Sequence, residues 1–249
     1  MSNSSETADI NIKQLLVKLI EMGGSDLHIV AGAPPVMRVH GQMEPMHDYP
    51  VLRPNETQEI IYSVMNEEQI AEFEEEKECD LSFGVQGLSR FRLNVYRDRG
   101  SVVAAFRTIP YDILSFEELG LPDPIQEMAY KPHGLVLICG PTGSGKSTTL
   151  ASIIDKINRE RAVHIITIED PIEFVHQHNK SIVSQREVGV DTMSYRSALE
   201  NAMRQAPDVI QIGEVRTPET MKSALVFAET GHLCLATLHA NNTYQALQR

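Results

Sequence analysis

Residues 135–148, LVLICGPTGSGKST, constrain the fold of this chain more than any other stretch. Leu135 to Cys139 make a short apolar run of the kind that fills a buried strand. It leads directly into Gly140-Pro141-Thr142-Gly143-Ser144-Gly145-Lys146-Ser147, the GxxxxGK[ST] pattern, and then into a helical stretch beginning at Thr148. Strand, glycine loop and helix in that order form a phosphate cradle. Glycines let backbone N–H groups close around an anion, and the helix N-terminus favours negative charge. Gly140 through Thr148 are therefore the candidate cofactor-binding residues, with ATP and Mg²⁺ as the expected cofactors. Lys146 would reach the β- and γ-phosphates and Ser147 would hold the metal.

From Gly134 onward, apolar strands alternate with helical stretches, the signature of a parallel α/β sheet. A second strand, His164 to Ile168, ends in Glu169-Asp170-Pro171-Ile172-Glu173. Carboxylates crowded this closely repel one another unless a cation or a water network sits among them, and one of them could polarise an attacking water. A third strand, Val209 to Ile212, closes with Gly213-Glu214. An apolar strand ending in an acid resembles a Walker B element, whose carboxylate binds Mg²⁺ through water. Gly213 stands where the usual Asp would be, and Gln211 is an unusual residue inside a buried strand.

The fourth strand, Leu233 to Leu238, is bracketed by His232 and His239. At ~3.3 Å per residue those imidazoles lie roughly 23 Å apart if the segment is straight. Ligands in open α/β sheets sit beyond the carboxyl ends of the strands, which makes His239 the candidate γ-phosphate sensor. His232 is then structural or lies at a subunit boundary. Four candidate sites at four strand ends converge on one crevice.

The first half of the chain reads differently. Ile12, Leu15, Leu16, Leu19 and Ile20 share one helical face, and Gly23-Gly24 stops the helix. Strands are expected at 26–30, 36–39, 80–83, 90–96 and 102–107, with helices at 56–65 and 67–77. That mixture predicts a small α+β domain with an antiparallel sheet over residues 1–110. A linker over 111–131 follows, opened by a helical connector with a Ser115/Glu118 capping box, and a second domain spans 132–249. Within RFRLNVYRDRGSVVAAFR, Arg90, Arg92, Arg99 and Arg107 put positive charge on adjacent strands. Phosphoryl transfer needs such charge on its developing equatorial oxygens, and a supplied arginine is worth ~10³–10⁵ in rate.

Acidic residues outnumber basic ones by 34 to 22, a formal net charge of −12, which argues against nucleic acid as a partner. Cys79, Cys139 and Cys234 have no metal-ligand spacing and read as reduced thiols. No apolar stretch approaches the ~20 residues of a membrane span, and the polar MSNSSETAD start is unlike a signal peptide. A cytoplasmic protein without membrane insertion is expected.

GPTGSGKSTTL, TIEDPIEFVHQH, RQAPDVIQIGEVR and ETGHLCLATLHANN resemble the Walker A, Asp box, Walker B and His box of the secretion ATPase superfamily. With the segments GGSDLHI and SRFRLNVYRDRG, the resemblance is to the type IV pilus retraction, or twitching-motility, ATPases of the PilT/PilU group. The stretches FVHQHNKSIVSQREVGVDT and ATLHANN lean toward its PilU-like branch. The resemblance implies an α/β chain with a PAS-like N-terminal domain and a RecA-like P-loop ATPase domain. It implies a homo-hexamer, or a ring with a paralogous ATPase, acting on an inner-membrane pilus platform protein. Glu173 would be the general base and Glu214 would serve magnesium through water. His232 and His239 would form the His-box pair, and Arg92, Arg99 and Arg107 would approach the γ-phosphate. Members continue beyond the His box, so the ATPase domain reads as incomplete at its C-terminus, with an unpaired sheet edge expected.

Alternatives are a nucleotide-binding accessory subunit with little turnover, a type II secretion or pilus-extension ATPase, a nucleic-acid motor and a small-molecule kinase. Extension-type members commonly carry a zinc-binding tetracysteine segment, which three scattered cysteines cannot form. Retraction is the favoured reading.

Overall fold

The helical spacing of Ile12, Leu15, Leu16 and Leu19 becomes α1 (Ile12–Glu21) in a computed structural model, with all four side chains buried. The structure describes residues 10–85, 88–109, 112–240 and 243–248. Asn11 caps α1 by accepting a hydrogen bond from the Lys13 amide at 2.9 Å. The chain divides into two compact units, Met1–Ile109 and Pro110–Arg249.

In the first unit α1 is followed by β1 (Gly24–Ile29), β2 (Val36–Val39) and β3 (Gln42–Pro45). Two helices come next, α2 (Pro54–Tyr62) and α3 (Glu67–Glu76), then β4 (Glu78–Val85), β5 (Ser89–Asp98) and β6 (Ser101–Ile109). The strands form one antiparallel sheet in the order β3-β2-β1-β6-β5-β4. Period-two alternation sends Leu27, Ile29, Phe91, Leu93 and Phe106 to the face that meets Leu15, Leu16 and Leu19. The hairpin between β5 and β6 turns on Arg99 and Gly100, with successive φ values of 50° and 83°. Two consecutive positive φ values match the right-handed twist of the flanking strands, as in type I′ turns. Strand β3 carries no apolar alternation, and its residues are all exposed at the sheet edge. That is why the sequence pattern passed over it.

The second unit opens with a turn, not the helical connector expected at Ser115. Ser115 and Glu118 do exchange the reciprocal bonds of a capping box, at 2.8 and 3.2 Å. Residues 116–120, however, stop at turn geometry, and the first helix of this unit is α4 (Asp123–Met128). Next come β7 (Gly134–Cys139), α5 (Lys146–Glu160), β8 (His164–Glu169), β9 (Ile182–Glu187) and α6 (Tyr195–Ala202). The remaining elements are β10 (Val209–Ile212), α7 (Pro218–Glu229), β11 (Leu233–Leu238) and α8 (Thr243–Gln248).

All five strands of this sheet run parallel, in the order β7-β11-β10-β8-β9. Helices cover both faces. Ile153, Ile154 and Ile157 of α5 pack on Ile165, Val209, Leu233 and Leu235. Leu199, Ala224 and Phe227, from α6 and α7, pack on Ile166, Ile168, Ile210 and Ile212. An antiparallel α+β unit followed by a parallel α/β sheet is the fold class that the residue patterns predict.

Candidate active site

One cavity of about 580 Å³ opens at the carboxyl ends of the second sheet, within the size range of small-ligand sites. Its wall includes Lys146, Ser147 and Thr148 at the start of α5, Glu169 at the end of β8 with Asp170 and Glu173 beyond it, Gly213 and Glu214 after β10, and His239 after β11. The sheet order explains the convergence, because β7, β11, β10 and β8 are contiguous and their ends face one crevice.

The loop before α5 is built for an anion. Gly145 is the cap residue of α5 at φ 86°, a conformation that costs glycine little and other residues more. The Lys146 side chain donates to the Pro141 carbonyl at 2.8 Å, and the Ser144 hydroxyl donates to the same oxygen. Among the expected cradle residues, Thr142, Gly143, Gly145, Lys146, Ser147 and Thr148 line the cavity, whereas Gly140, Pro141 and Ser144 form the base of the loop.

The carboxylates after β8 separate by environment. Glu169 is buried, accepting from the Thr167 hydroxyl at 2.6 Å, from Gln185 Nε2 at 3.3 Å and from the Glu173 amide at 3.4 Å. Burial pushes its carboxyl up to about 7, against the lowering effect of those donors. Asp170 is exposed and faces Arg216, and Glu173 is exposed on the cavity wall. Of the three, Glu173 alone has a carboxylate engaged by no hydrogen bond or ion pair among the described residues, which leaves it available to water.

Strand β9, which the sequence reading missed, braces this loop. Gln185 accepts from the His176 amide at 2.8 Å, donates to the Phe174 carbonyl at 2.8 Å, and also reaches Glu169. Glu187 accepts from the Ile172 amide at 3.2 Å. The alternation of Val183, Gln185 and Glu187 was the available signal, obscured because polar residues occupy the half-buried positions.

At the end of β10, Glu214 Oε1 lies 3.1 Å from His239 Nε2, and its Oε2 accepts from Arg216 Nε at 2.8 Å. Arg216 and Tyr195 both line the cavity and were missed in the sequence. Crowding by Tyr195 and the β8 backbone suits a glycine where the usual Asp would stand. A Cβ at Gly213 would lie 3.0 Å from the Tyr195 hydroxyl, 3.2 Å from Glu169 Cα and 3.3 Å from the Ile168 carbonyl. Burial, then the charges of Asp170 and Glu169, push the Tyr195 phenol up, so it stays a neutral donor. Gln211 is buried on the wall, and its Oε1 has no hydrogen-bond partner.

His232 lies elsewhere. Its Nδ1 meets the Thr230 hydroxyl at 3.1 Å and the Phe227 carbonyl at 3.2 Å, at the amino end of β11 and off the cavity wall. In the first unit, Arg92 and Arg107 are directly opposed across β5 and β6. Arg107 donates to Asp26 at 2.9 Å and Arg92 lies 3.6 Å from Asp80. Arg99 occupies the hairpin turn with its side chain 93% exposed. Seven residues of strand separate it from Arg92, roughly 23 Å. Arg90 donates to Ser82 at 3.3 Å.

A glycine-loop cradle on α5 beside strand-end carboxylates, on a parallel sheet covered by helices, defines a RecA-like P-loop nucleotide-binding protein. The chain belongs to the type II/IV secretion system protein family, whose model matches residues 3–249. It is 50% identical over 240 residues to the type IV pilus ATPase PilU of Pseudomonas aeruginosa, covering 96% of this chain and 63% of that protein. Identity to the pilus retraction ATPase PilT of the same organism is 45%, covering 96% of this chain and 70% of that protein. A crystal structure of the pilus retraction motor PilT with bound ADP superimposes with a TM-score of 0.91 at 51% identity, over 96% of this chain and 70% of that one. The chain therefore spans about two thirds of the length of these relatives.

Proposed function

We propose that this chain hydrolyses ATP as the motor of a type IV pilus machine and drives pilus retraction. The observation that carries the reading is a shared cavity onto which Lys146, Ser147, Glu173, Glu214 and His239 all open. The PilU and PilT likenesses supply the pilus context, and the ADP in the PilT structure supplies the nucleotide class.

The loop from Gly140 to Ser147 wraps the phosphates, with Lys146 leaving the Pro141 carbonyl to reach the β- and γ-phosphates. The residues present suit magnesium. Among the described residues no cluster of three or more acidic, histidine or cysteine side chains could hold a metal alone. Mg²⁺ is usually bound by one or two protein groups plus waters and substrate phosphates, and Ser147 and Glu214 are such groups. When bound, Mg²⁺ neutralises charge on the β- and γ-phosphate oxygens. Glu173 takes the proton of the attacking water, its backbone N–H donating a hydrogen bond to the Glu169 carboxylate. His239 reads the γ-phosphate while holding Glu214. Arg92 and Arg107 are the arginines we propose to supply positive charge to a transferring phosphoryl group, of this chain or of a ring neighbour; Arg99, in the hairpin turn, and His232, off the cavity wall, are not assigned to it.

A ring of six such chains, alone or with a paralogous ATPase, works against an inner-membrane platform protein from the cytoplasmic side. No helix among the described residues is long and apolar enough to cross a membrane.

The test is Mg²⁺-dependent ATP turnover by this chain beside its Glu173→Gln variant, with assembly mass recorded. Turnover from a hexamer, lost in the variant while nucleotide still binds, is the expected result. Binding without turnover in both chains would favour the accessory nucleotide-binding subunit.

A further inference from the structure

The carboxylate assigned to magnesium already has both oxygens occupied. Glu214 Oε2 accepts from Arg216 Nε at 2.8 Å, while Oε1 faces His239 at 3.1 Å. The same guanidinium stands between two strand ends, with its NH1 3.9 Å from Asp170 Oδ2. Among the described residues no hydrogen bond reaches the Asp170 carboxylate, so this is a seat partly approached and not yet filled. Glu214, Arg216, Asp170 and Glu173 line one cavity, and Asp170 stands three residues before Glu173 on the same loop.

We infer that Arg216 is the resident counter-cation of the magnesium position, neutralising Glu214 until the metal–nucleotide arrives and then transferring to Asp170. The inference rests on the Mg²⁺·ATP reading above. A guanidinium and a hydrated dication compete for one carboxylate, because like charges a few ångströms apart in a partly enclosed site repel strongly. The guanidinium is planar and carries five donors in a fixed fork. A small rotation of the side chain exchanges Glu214 for Asp170 without any bond made or broken in the backbone. The exchange has a consequence at the neighbouring loop. Metal arriving at β10 places a positive charge on the loop after β8 and fixes the segment that carries Glu173. Arg216 is thus a positioning residue that couples metal occupancy to placement of the base.

The test is an equilibrium titration of Mg²⁺ against binding of a fluorescent, non-hydrolysable ATP analogue, with a metal-free EDTA series alongside. Arg216→Gln removes the competing charge and lowers the half-saturating Mg²⁺ concentration by about tenfold. Asp170→Asn removes the second seat and raises it by about threefold. Arg216→Lys keeps the charge and stays within about threefold of the unmodified chain, which also serves if the glutamine variant fails to fold. An unchanged midpoint in both Arg216→Gln and Asp170→Asn overturns the exchange and leaves the ATP reading standing. Weaker binding of Arg216→Gln in EDTA, with a raised Mg²⁺ midpoint, makes Arg216 a plain phosphate contact and also overturns it. An unmodified chain that binds no analogue at any Mg²⁺ concentration overturns the ATP reading itself.

Discussion

The two sheets put their polar side chains in different places, and the difference separates charge spread over a face from charge gathered at a point. In the antiparallel sheet, alternation sends Asp26, Arg38, Arg92 and Arg107 to one broad face, where register sets them side by side. In the parallel sheet, nearly every strand residue is apolar or buried, and the reactive groups appear only where the strands stop. A face distributes charge over a surface and pairs it with neighbours. Strand ends aim backbone and side chains at one point. Function concentrated at a point tolerates little change, whereas function spread over a face tolerates more.

Glu173→Gln should give the largest effect. Removing the base at a strand end should cut the turnover number by about 10³-fold or more, roughly 4 kcal/mol on the barrier. Affinity for ATP should hold within a few-fold, as read by steady-state kinetics beside equilibrium binding. A comparable loss from Arg38→Ala, on the antiparallel face and paired with Asp26, would erase the contrast between point and face.

Next comes the core of the antiparallel sheet. Phe91 is fully buried, and Phe91→Ala should cost about 3–5 kcal/mol of stability. Hydrogen exchange should quicken through β4 to β6 and stay slow in β10 and β11. Equal acceleration in both sheets would break the separation into two independently packed cores.

Glu169 carries a pH signature. Its folded pKa of about 7 stands above the ordinary carboxyl value of 4.5, so between those pH values the folded state binds the extra proton. Stability from this group is fully present at low pH and is lost as pH rises through that window, by about 2–3 kcal/mol between pH 5 and 8. His176, lowered to about 4 by burial, acts in the opposite sense, adding stability as pH rises from about 4 to 6.5. Glu169→Gln should therefore gain on the unmodified chain as pH increases, in denaturant titrations at pH 5 and pH 8. A constant difference between the two chains would mean that Glu169 titrates normally.

The smallest effect is at the hairpin. Arg99 holds a φ of 50°, which costs a residue with a Cβ roughly 1 kcal/mol. Arg99→Gly should stabilise the first unit by up to about 1 kcal/mol in thermal melts and leave turnover within about twofold. A large loss of turnover would draw the hairpin tip into the phosphate chemistry.

Much of this was legible because the informative residues are neighbours in sequence. The strand, loop and helix around Lys146 can be read from one contiguous segment, and the apolar runs of β7, β8, β10 and β11 announce buried parallel strands. Counting along β11 was enough to separate His232 from His239. The residues missed act across the fold. Tyr195 matters because α6 lays its ring beside the end of β10. Arg216 matters because β8 and β10 are adjacent, which brings Asp170 within its reach. Strands β3 and β9 escaped notice because edge positions permit polar residues, so no apolar periodicity marks them. The Ser115/Glu118 signature formed its bonds without a helix behind it, since a cap stabilises a start but does not supply the apolar face that carries a helix onward.

The crowding at Gly213 has a bearing on how such a site can change over time. An Asp introduced there alone brings its Cβ within 3.0–3.3 Å of the Tyr195 hydroxyl and the β8 backbone, so those neighbours must yield by a few tenths of an ångström to admit it. Trimming Tyr195 first would open only part of the space and would strip a neutral donor from among three acids. A strand-end acid at this position therefore needs adjustment of both the phenol ring and the β8 backbone, which makes glycine followed by Glu214 the sterically easy arrangement.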